Sequence, residues 1–160
     1  MKNVTFFIVA IIALLLVSLY FNAKYFSKKE ASAILLVSPK EVKQIHGVMD
    51  KQLEAWNKGD HEGFMQGYWK SDSLRFISTR GVTKGWQNTL NMYKKSYNTK
   101  EKMGKLLFHK EGIYNMSEKD KEVLLIGRWE VHKKDTAMGS FALLFKNMNG
   151  EWKIIEDRTY

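Results

Sequence analysis

The chain of 160 residues contains no cysteine. This absence excludes disulfide bonds, thiolate nucleophiles, iron–sulfur clusters and cysteine zinc sites. Proline occurs once and glycine is not abundant, so the composition shows no low-complexity segment. Arginine is also scarce, with four residues among many lysines, and arginine is the side chain that most often reads nucleic-acid bases. We therefore expect no nucleic-acid partner.

Several catalytic motifs are missing as well. The four histidines show no metal-ligand spacing, and His61-Glu62 is not followed by the second histidine of the zinc-peptidase helix motif. No serine stands in a Gly-x-Ser-x-Gly turn, and no glycine-rich loop connects a predicted strand to a helix. These absences argue against hydrolytic, nucleotide-binding and kinase functions. We expect no metal and no cofactor.

A long uncharged run stands near the N-terminus. Residues 4–21 read VTFFIVAIIALLLVSLYF. As a helix rising about 1.5 Å per residue, this run is about 27 Å long, which just suffices to cross a bilayer core. The sites after it fit signal-peptide cleavage poorly, which favours an uncleaved anchor. The sequence therefore predicts a single transmembrane helix, with residues 1–26 as membrane anchor or uncleaved signal, 27–38 as linker and 39–160 as the folded domain.

The charges on either side of this run bear on which side of the membrane the domain lies. The lysines on either side of the run hardly distinguish the two orientations in a membrane. They slightly favour a cytoplasmic domain, whereas the likeness to a signal sequence favours export. We predict a single-pass membrane protein that contacts the membrane through residues 4–21, with an extracytoplasmic domain by a small margin. The net charge of +9 suits an anionic membrane or an anionic ligand, or is an ordinary solvated surface.

The first half of the domain has the pattern of helices. Ser38, Pro39 and Glu41 form a capping box with proline at the first helical position. One apolar stripe then follows at spacings of three and four: Val42, Ile45, Met49, Leu53 and Trp56. A short second helix is predicted through residues 64–69, and a third, with an aromatic face, from about Lys84.

The second half has the pattern of strands. A short strand is predicted at 73–78, before the third helix. After Gly104 the hydrophobic period changes to two, which predicts strands at residues 105–115, 122–133, 139–146 and 152–159. Asn149-Gly150 predicts a tight hairpin turn between the last two. Helices followed by consecutive strands indicate an α+β fold with an antiparallel sheet that carries the helices on one face.

The order of several short motifs resembles a known family. Residues 52–60, QLEAWNKGD, end the first helix; Gly85-Trp86, Gly127-Arg-Trp129 and residues 152–157, WKIIED, follow in that order. This order resembles the nuclear transport factor 2-like superfamily, in its SnoaL-like branch of small domains, over about residues 40–159. The resemblance implies a cone in which a strongly curved antiparallel sheet wraps a long N-terminal helix and leaves a pocket at the open end.

The resemblance implies a base and hydrogen-bond donors in an apolar cavity, where burial shifts pKa values toward the working pH. Asp157 is the first catalytic candidate; the alternative is an ion pair with Arg158 or Arg128. His132 is the second, oriented by Glu130, with Arg128 holding an anionic substrate. The alternative for these three is a strand face that is buried at one end and solvated at the other.

Aromatic residues are the candidates for ligand binding. Tyr68, Trp86 and Tyr93 would line a cavity for a flat or hydrophobic ligand, or are plain core. Leu143-Leu144 and Ile154-Ile155 place apolar side chains on both faces of the sheet, which predicts a homodimer through the outer face.

The sequence leaves three functions open. The first is a membrane-anchored module that binds a small hydrophobic or anionic ligand or a partner. The second is a cofactor-independent isomerase, cyclase or dehydratase that uses Asp157 or His132. The third is a scaffold held to a membrane surface by its basic face.

Overall fold

The computed structural model describes residues 16–21, 24 and 37–160. The chain divides into two units, Met1–Leu35 and Leu36–Tyr160. In the first unit, residues 16–21 are helical. The described part of the second unit forms, in chain order, α1 Pro39–Lys58, α2 His61–Met65, β1 Arg75–Ser78, β2 Gly81–Lys84, α3 Trp86–Ser96, α4 Lys100–Met103, β3 Lys105–Ser117, β4 Glu122–His132, β5 Ala137–Met148 and β6 Glu151–Thr159.

Helix α1 begins and ends where its sequence predicts. The Ser38 amide donates to Glu41 Oε2 at 3.0 Å, and the Glu41 amide donates to Ser38 Oγ at 3.3 Å. These reciprocal bonds satisfy backbone donors that the first turn leaves without helical partners. Gly59 ends the helix with φ +84°, a conformation that glycine adopts at little cost. The predicted capping box is thus confirmed.

The six strands form one open, curved sheet in the order β2-β1-β6-β5-β4-β3. All neighbours are antiparallel except β1 and β6, which are parallel. Register shifts in β3 and between β5 and β6 mark β-bulges, which bend and twist a sheet. Strand β2 was not predicted, because Gly81 reads as the end of a strand; Gly81 instead closes the β1–β2 hairpin.

The sheet packs around α1. Ile45, Met49 and Trp56 on the helix are buried with Phe145 and Ile154 on the sheet. The Trp56 indole donates to the carbonyl of Met103 at 3.1 Å. Asn57 is hydrogen-bonded to both the amide and the carbonyl of Leu106, so the end of α1 is fixed to the start of β3. The predicted α+β cone is confirmed for the second unit.

The predicted transmembrane helix is corrected. Among residues 16–21, 24 and 37–160, no helix combines the length and apolar character needed to cross a membrane. Residues 4–15 of the predicted span lie outside the described residues. The single-pass, extracytoplasmic localisation is corrected by the same finding, and the division 1–26, 27–38 and 39–160 stays a prediction.

Candidate functional site

A bulge in β6 decides which acidic side chain faces the interior. Phe145 pairs with Ile154, but its neighbour Leu144 pairs with Glu156, so Ile155 is the extra residue. Because side chains alternate between faces, one extra residue reverses the faces of all that follow. Glu156 therefore lies on the outer face of the sheet. Asp157 lies on the inner face, where only 4% of its surface is exposed.

Asp157 lies inside the curve of the sheet. It pairs with Leu143 on one side and with Phe76 on the other. It lines a cavity of about 210 Å³ between the sheet and helices α1 and α3. The remaining lining is mostly apolar or aromatic and includes Met49, Trp56, Phe64, Phe108, Trp129, Val131 and Phe141.

The Asp157 carboxylate has two unequal oxygens. Oδ2 accepts a hydrogen bond of 2.6 Å from the Tyr68 hydroxyl. The Tyr93 hydroxyl lies 3.5 Å from the Tyr68 hydroxyl, so it can donate to Tyr68 and extend the chain of donors. Oδ1 is buried and has no hydrogen-bond partner among the described residues. Buried polar atoms without partners are rare, and they often mark functional sites.

The loop after α2 holds Tyr68 beside Asp157. The Trp69 amide donates to the carbonyl of Ile154, and the Ile154 amide donates to the carbonyl of Gly67, both at 2.9 Å. These bonds attach the loop to β6 three residues before Asp157. Tyr93 reaches the same point from α3, where its ring contacts Phe64 and Phe76 edge-on.

Burial governs the protonation of this group. It raises the pKa of Asp157 to about 7, because the apolar surroundings disfavour the charged form, and the hydrogen bond from Tyr68 only partly opposes this effect. The pKa values of Tyr68 and Tyr93 are raised well above the ordinary value. Burial is the larger cause, and the nearby charge of Asp157 adds to it. The site thus holds one carboxyl poised near neutral pH and two phenols that stay protonated.

The mouth of the cavity is polar. Its exposed lining residues are Thr79 and Arg80, at the tip of the β1–β2 hairpin, and Tyr160. Ser78, Ser96 and Thr159 add hydroxyl groups to the lining. Arg80 and Asp157 are the charged side chains among the lining residues that the structure describes.

Two predicted site residues lie elsewhere. His132 and Arg128 point to the outer face of β4, and their side chains are 49% and 64% exposed. Glu130 Oε2 contacts His132 Nε2 at 2.8 Å and Oε1 contacts His109 Nε2 at 2.9 Å, while Arg128 pairs with Glu111. The strand alternation that puts Trp129 and Val131 into the cavity turns these residues away, so His132 and Arg128 lie outside the cavity lining.

Trp86 is also outside the cavity lining. It begins α3, and its indole donates to the carbonyl of Met65 at 2.9 Å while Lys70 Nζ lies 5.1 Å from its ring centre. Its role in this geometry is to attach α3 to α2. The predicted residues that do meet at one place are therefore Asp157, Tyr68 and Tyr93. The pair of Asp157 with Arg158 or Arg128 is not formed; Arg158 pairs with Glu156.

Sequence reasoning missed Arg80. The residue follows a predicted strand directly and precedes Gly81, which has φ +113°. A glycine in that position is a turn signal. A hairpin tip there would have placed Arg80 at one end of the sheet, but the sequence did not show that this end is the mouth of the cavity.

A curved sheet around one long helix, with a few polar groups in an apolar cavity, defines a scaffold for binding small molecules. No protein-family model matches the chain, and no curated protein matches it. Among solved structures, a nuclear transport factor 2-like protein of unknown function from Shewanella oneidensis is 37% identical, with a TM-score of 0.70; the match covers 74% of this chain and 97% of that chain. The chain belongs to the nuclear transport factor 2-like superfamily, as its motifs predicted.

Two more distant structures share the fold. A domain of unknown function with a cystatin-like fold from Nostoc punctiforme is 17% identical, with a TM-score of 0.64, over 77% of this chain and 78% of that chain. A ketosteroid isomerase-like protein from Erwinia carotovora is 14% identical, with a TM-score of 0.60, over 76% and 96%. At these identities the likeness concerns the fold alone.

Proposed function

We propose that the protein binds a small, mostly apolar ligand in this cavity and that Asp157 hydrogen-bonds a polar group of that ligand. The unpartnered, buried Oδ1 of Asp157 supports this proposal most directly. Leaving such an atom without a partner costs about 1–3 kcal/mol, and a ligand donor would remove that cost. The aromatic lining supplies the apolar contacts that small ligands need.

The volume of the cavity limits the ligand. At about 210 Å³ it is smaller than ligand pockets of roughly 300–1,000 Å³, which hold drug-sized molecules. A cavity of roughly 150 Å³ in another protein binds benzene. The ligand that fits is therefore a single ring, or a chain of similar size, with small substituents.

A matched pair of neutral probes tests this proposal. Benzyl alcohol and toluene are titrated into the full chain, and amide chemical shifts report affinity and location. We expect both to perturb cavity residues, with benzyl alcohol binding about two- to tenfold more tightly because one hydrogen bond contributes about 0.5–1.5 kcal/mol. Asp157→Leu should abolish this preference, and Asp135→Leu, at an exposed position, should keep it. Perturbations confined to the outer sheet face would contradict the proposal.

A second function is cofactor-independent proton transfer, as in an isomerase. The pKa of Asp157, raised to about 7, favours it, because a general base works best when its pKa is near the operating pH. The carboxylate would take a proton from the carbon beside a carbonyl group and return it to another carbon. The Tyr93 hydroxyl would hydrogen-bond the developing oxyanion. The fold likeness to a ketosteroid isomerase-like protein also supports this alternative.

A single-ring substrate tests the catalytic alternative. Conversion of 3-cyclohexen-1-one to 2-cyclohexen-1-one creates a conjugated enone that is measured by ultraviolet absorbance. Catalysis should increase with pH around a midpoint near 7, and Asp157→Asn should reduce the rate at least 100-fold. A rate equal to the buffer control, or an equally active Asp157→Asn variant, would remove the catalytic alternative and leave the binding proposal intact.

A further inference from the structure

The β1–β2 hairpin places a cation at the mouth of the cavity. Ser78 pairs with Gly81 in the hairpin register, so Thr79 and Arg80 form the turn. The Arg80 amide donates to Ser78 Oγ at 3.2 Å, which shapes this turn. Ser78, Thr79 and Arg80 all line the cavity, whereas the residues of β2 do not.

Arg80 differs from the other three arginines of the chain. Arg75 and Arg158 both pair with Glu156, at 2.8 and 2.6 Å, and Arg128 pairs with Glu111 at 2.5 Å. Arg80 makes no ion pair with a carboxylate in the part of the chain that the structure describes. A guanidinium carries five donors in a planar fork that matches a carboxylate, so Arg80 offers a complete anion-binding group at the cavity mouth.

We propose that the ligand is a small ring-containing hydroxy acid, with its carboxylate bound by Arg80 at the mouth and its hydroxyl group bound by Asp157 inside. This proposal rests on ligand binding in the cavity and names the class of ligand. The apolar walls between the two groups hold the ring. The excess of positive charge on the chain, +9, would further attract an anion.

The length of the hairpin agrees with this class. Asp157 pairs with Phe76, and Arg80 follows four residues later. Because β1 ends at Ser78, and Thr79 and Arg80 form the turn, the backbone of Arg80 lies less than about 13 Å from that of Phe76. The long arginine side chain can reach back over part of that distance. The proposed ligand therefore carries its two polar groups at opposite ends of one ring.

Two compounds of nearly the same shape, one anionic and one neutral, test the proposal. The anion 4-(hydroxymethyl)benzoate and its neutral carboxamide are titrated calorimetrically into the full chain and into Arg80→Gln, Arg80→Lys and Arg128→Gln. Arg128→Gln is the matched control, because it removes an exposed arginine outside the cavity with the same change in net charge. Amide chemical shifts confirm that each variant is folded.

We expect the acid to bind the wild-type chain about tenfold more tightly than the amide, which corresponds to about 1.4 kcal/mol. Arg80→Gln should bind both compounds equally, Arg80→Lys should keep part of the preference, and Arg128→Gln should keep all of it.

Other results would overturn the proposal. If the wild type binds the amide in the cavity and binds the acid no more tightly than the amide, the role of Arg80 is overturned and ligand binding stands. Equal losses in Arg80→Gln and Arg128→Gln would also overturn it, since bulk charge would then explain the preference. If neither compound binds, both proposals fail.

Discussion

At the scale of single residues, the site depends on opposing effects at Asp157. Burial disfavours the carboxylate, and the Tyr68 hydroxyl stabilises it through a hydrogen bond of 2.6 Å. Burial prevails, so the pKa lies near 7 instead of near the ordinary value of 3.8. A group of this kind changes its charge within the physiological pH range, which an exposed aspartate does not do.

The first prediction is a pH-dependent effect of Asp157→Asn on stability. Between about pH 4 and pH 7 the native state keeps a proton that the unfolded chain loses, so the free energy of unfolding of the wild type decreases as pH rises. The total decrease is on the order of 4 kcal/mol, complete above about pH 8. Asparagine does not titrate. The variant should therefore gain stability relative to the wild type as pH rises from 4 to 8, measured by urea denaturation.

The exposed position Asp135 supplies the control for this measurement. The difference in stability between Asp135→Asn and the wild type should show no comparable increase between pH 4 and pH 8. A difference for Asp157→Asn that stays constant over this range would contradict a raised pKa at Asp157.

At the scale of elements, two glycines test how α1 and the sheet are built. Gly47 lies in the middle of α1, and an added Cβ would meet no atom within 4 Å. Gly127 lies in β4, where an added Cβ would approach the His109 carbonyl oxygen and lie 2.6 Å from Phe141 Cζ. Phe141 lines the cavity, so crowding at Gly127 would also disturb the site.

The second prediction is that alanine has opposite effects at these two positions. Gly47→Ala should raise the free energy of unfolding by about 0.5–1 kcal/mol, because alanine loses less backbone entropy in a helix. Gly127→Ala should lower it by about 1–3 kcal/mol through overpacking. Urea denaturation of both variants provides the measurement, and each variant serves as the control for the other. A gain in stability at Gly127 would show that β3 and β5 do not pack as closely as described.

The elements predicted from the sequence are those with local signals. The capping box of Ser38 and Glu41 and the turn at Asn149-Gly150 depend on neighbouring residues, so α1 and the β5–β6 hairpin could be read directly. The bulge at Ile155 could not, because a two-residue period does not reveal an extra residue. The parallel pairing of β1 with β6 joins distant segments, so the place of Arg80 at the cavity mouth could not be read either.

At the scale of the whole molecule, the outer face of the sheet carries apolar residues that the cavity site does not use. Leu124 and Leu144 are cross-strand partners there, and Ile126 lies beside them. All three are partly exposed in the single chain. Apolar residues on the outer face of an antiparallel sheet are typical of a surface that packs against a partner. The homodimer through this face stays a prediction.

The third prediction concerns the molar mass in solution. Light scattering coupled to size-exclusion chromatography should give twice the chain mass of 18.7 kDa for the wild type. Leu144→Lys should give a monomer, because a charge in an apolar interface is costly to bury. Thr83→Lys, on the edge strand β2, is the control and should leave the dimer intact. A monomeric wild type, or a dimer that survives Leu144→Lys, would contradict an interface at this face.

The most direct test of the site is the titration of Asp157 itself. Carboxyl carbon chemical shifts of the full chain, labelled with ¹³C at aspartate, are followed by NMR from pH 3 to pH 9, and Asp157→Asn identifies the resonance. We predict a midpoint of about 7, and a higher one in Tyr68→Phe, which loses the hydrogen bond that lowers the pKa. A midpoint near 4 in the wild type would place the Asp157 carboxyl in contact with water and would contradict a buried acid in the cavity.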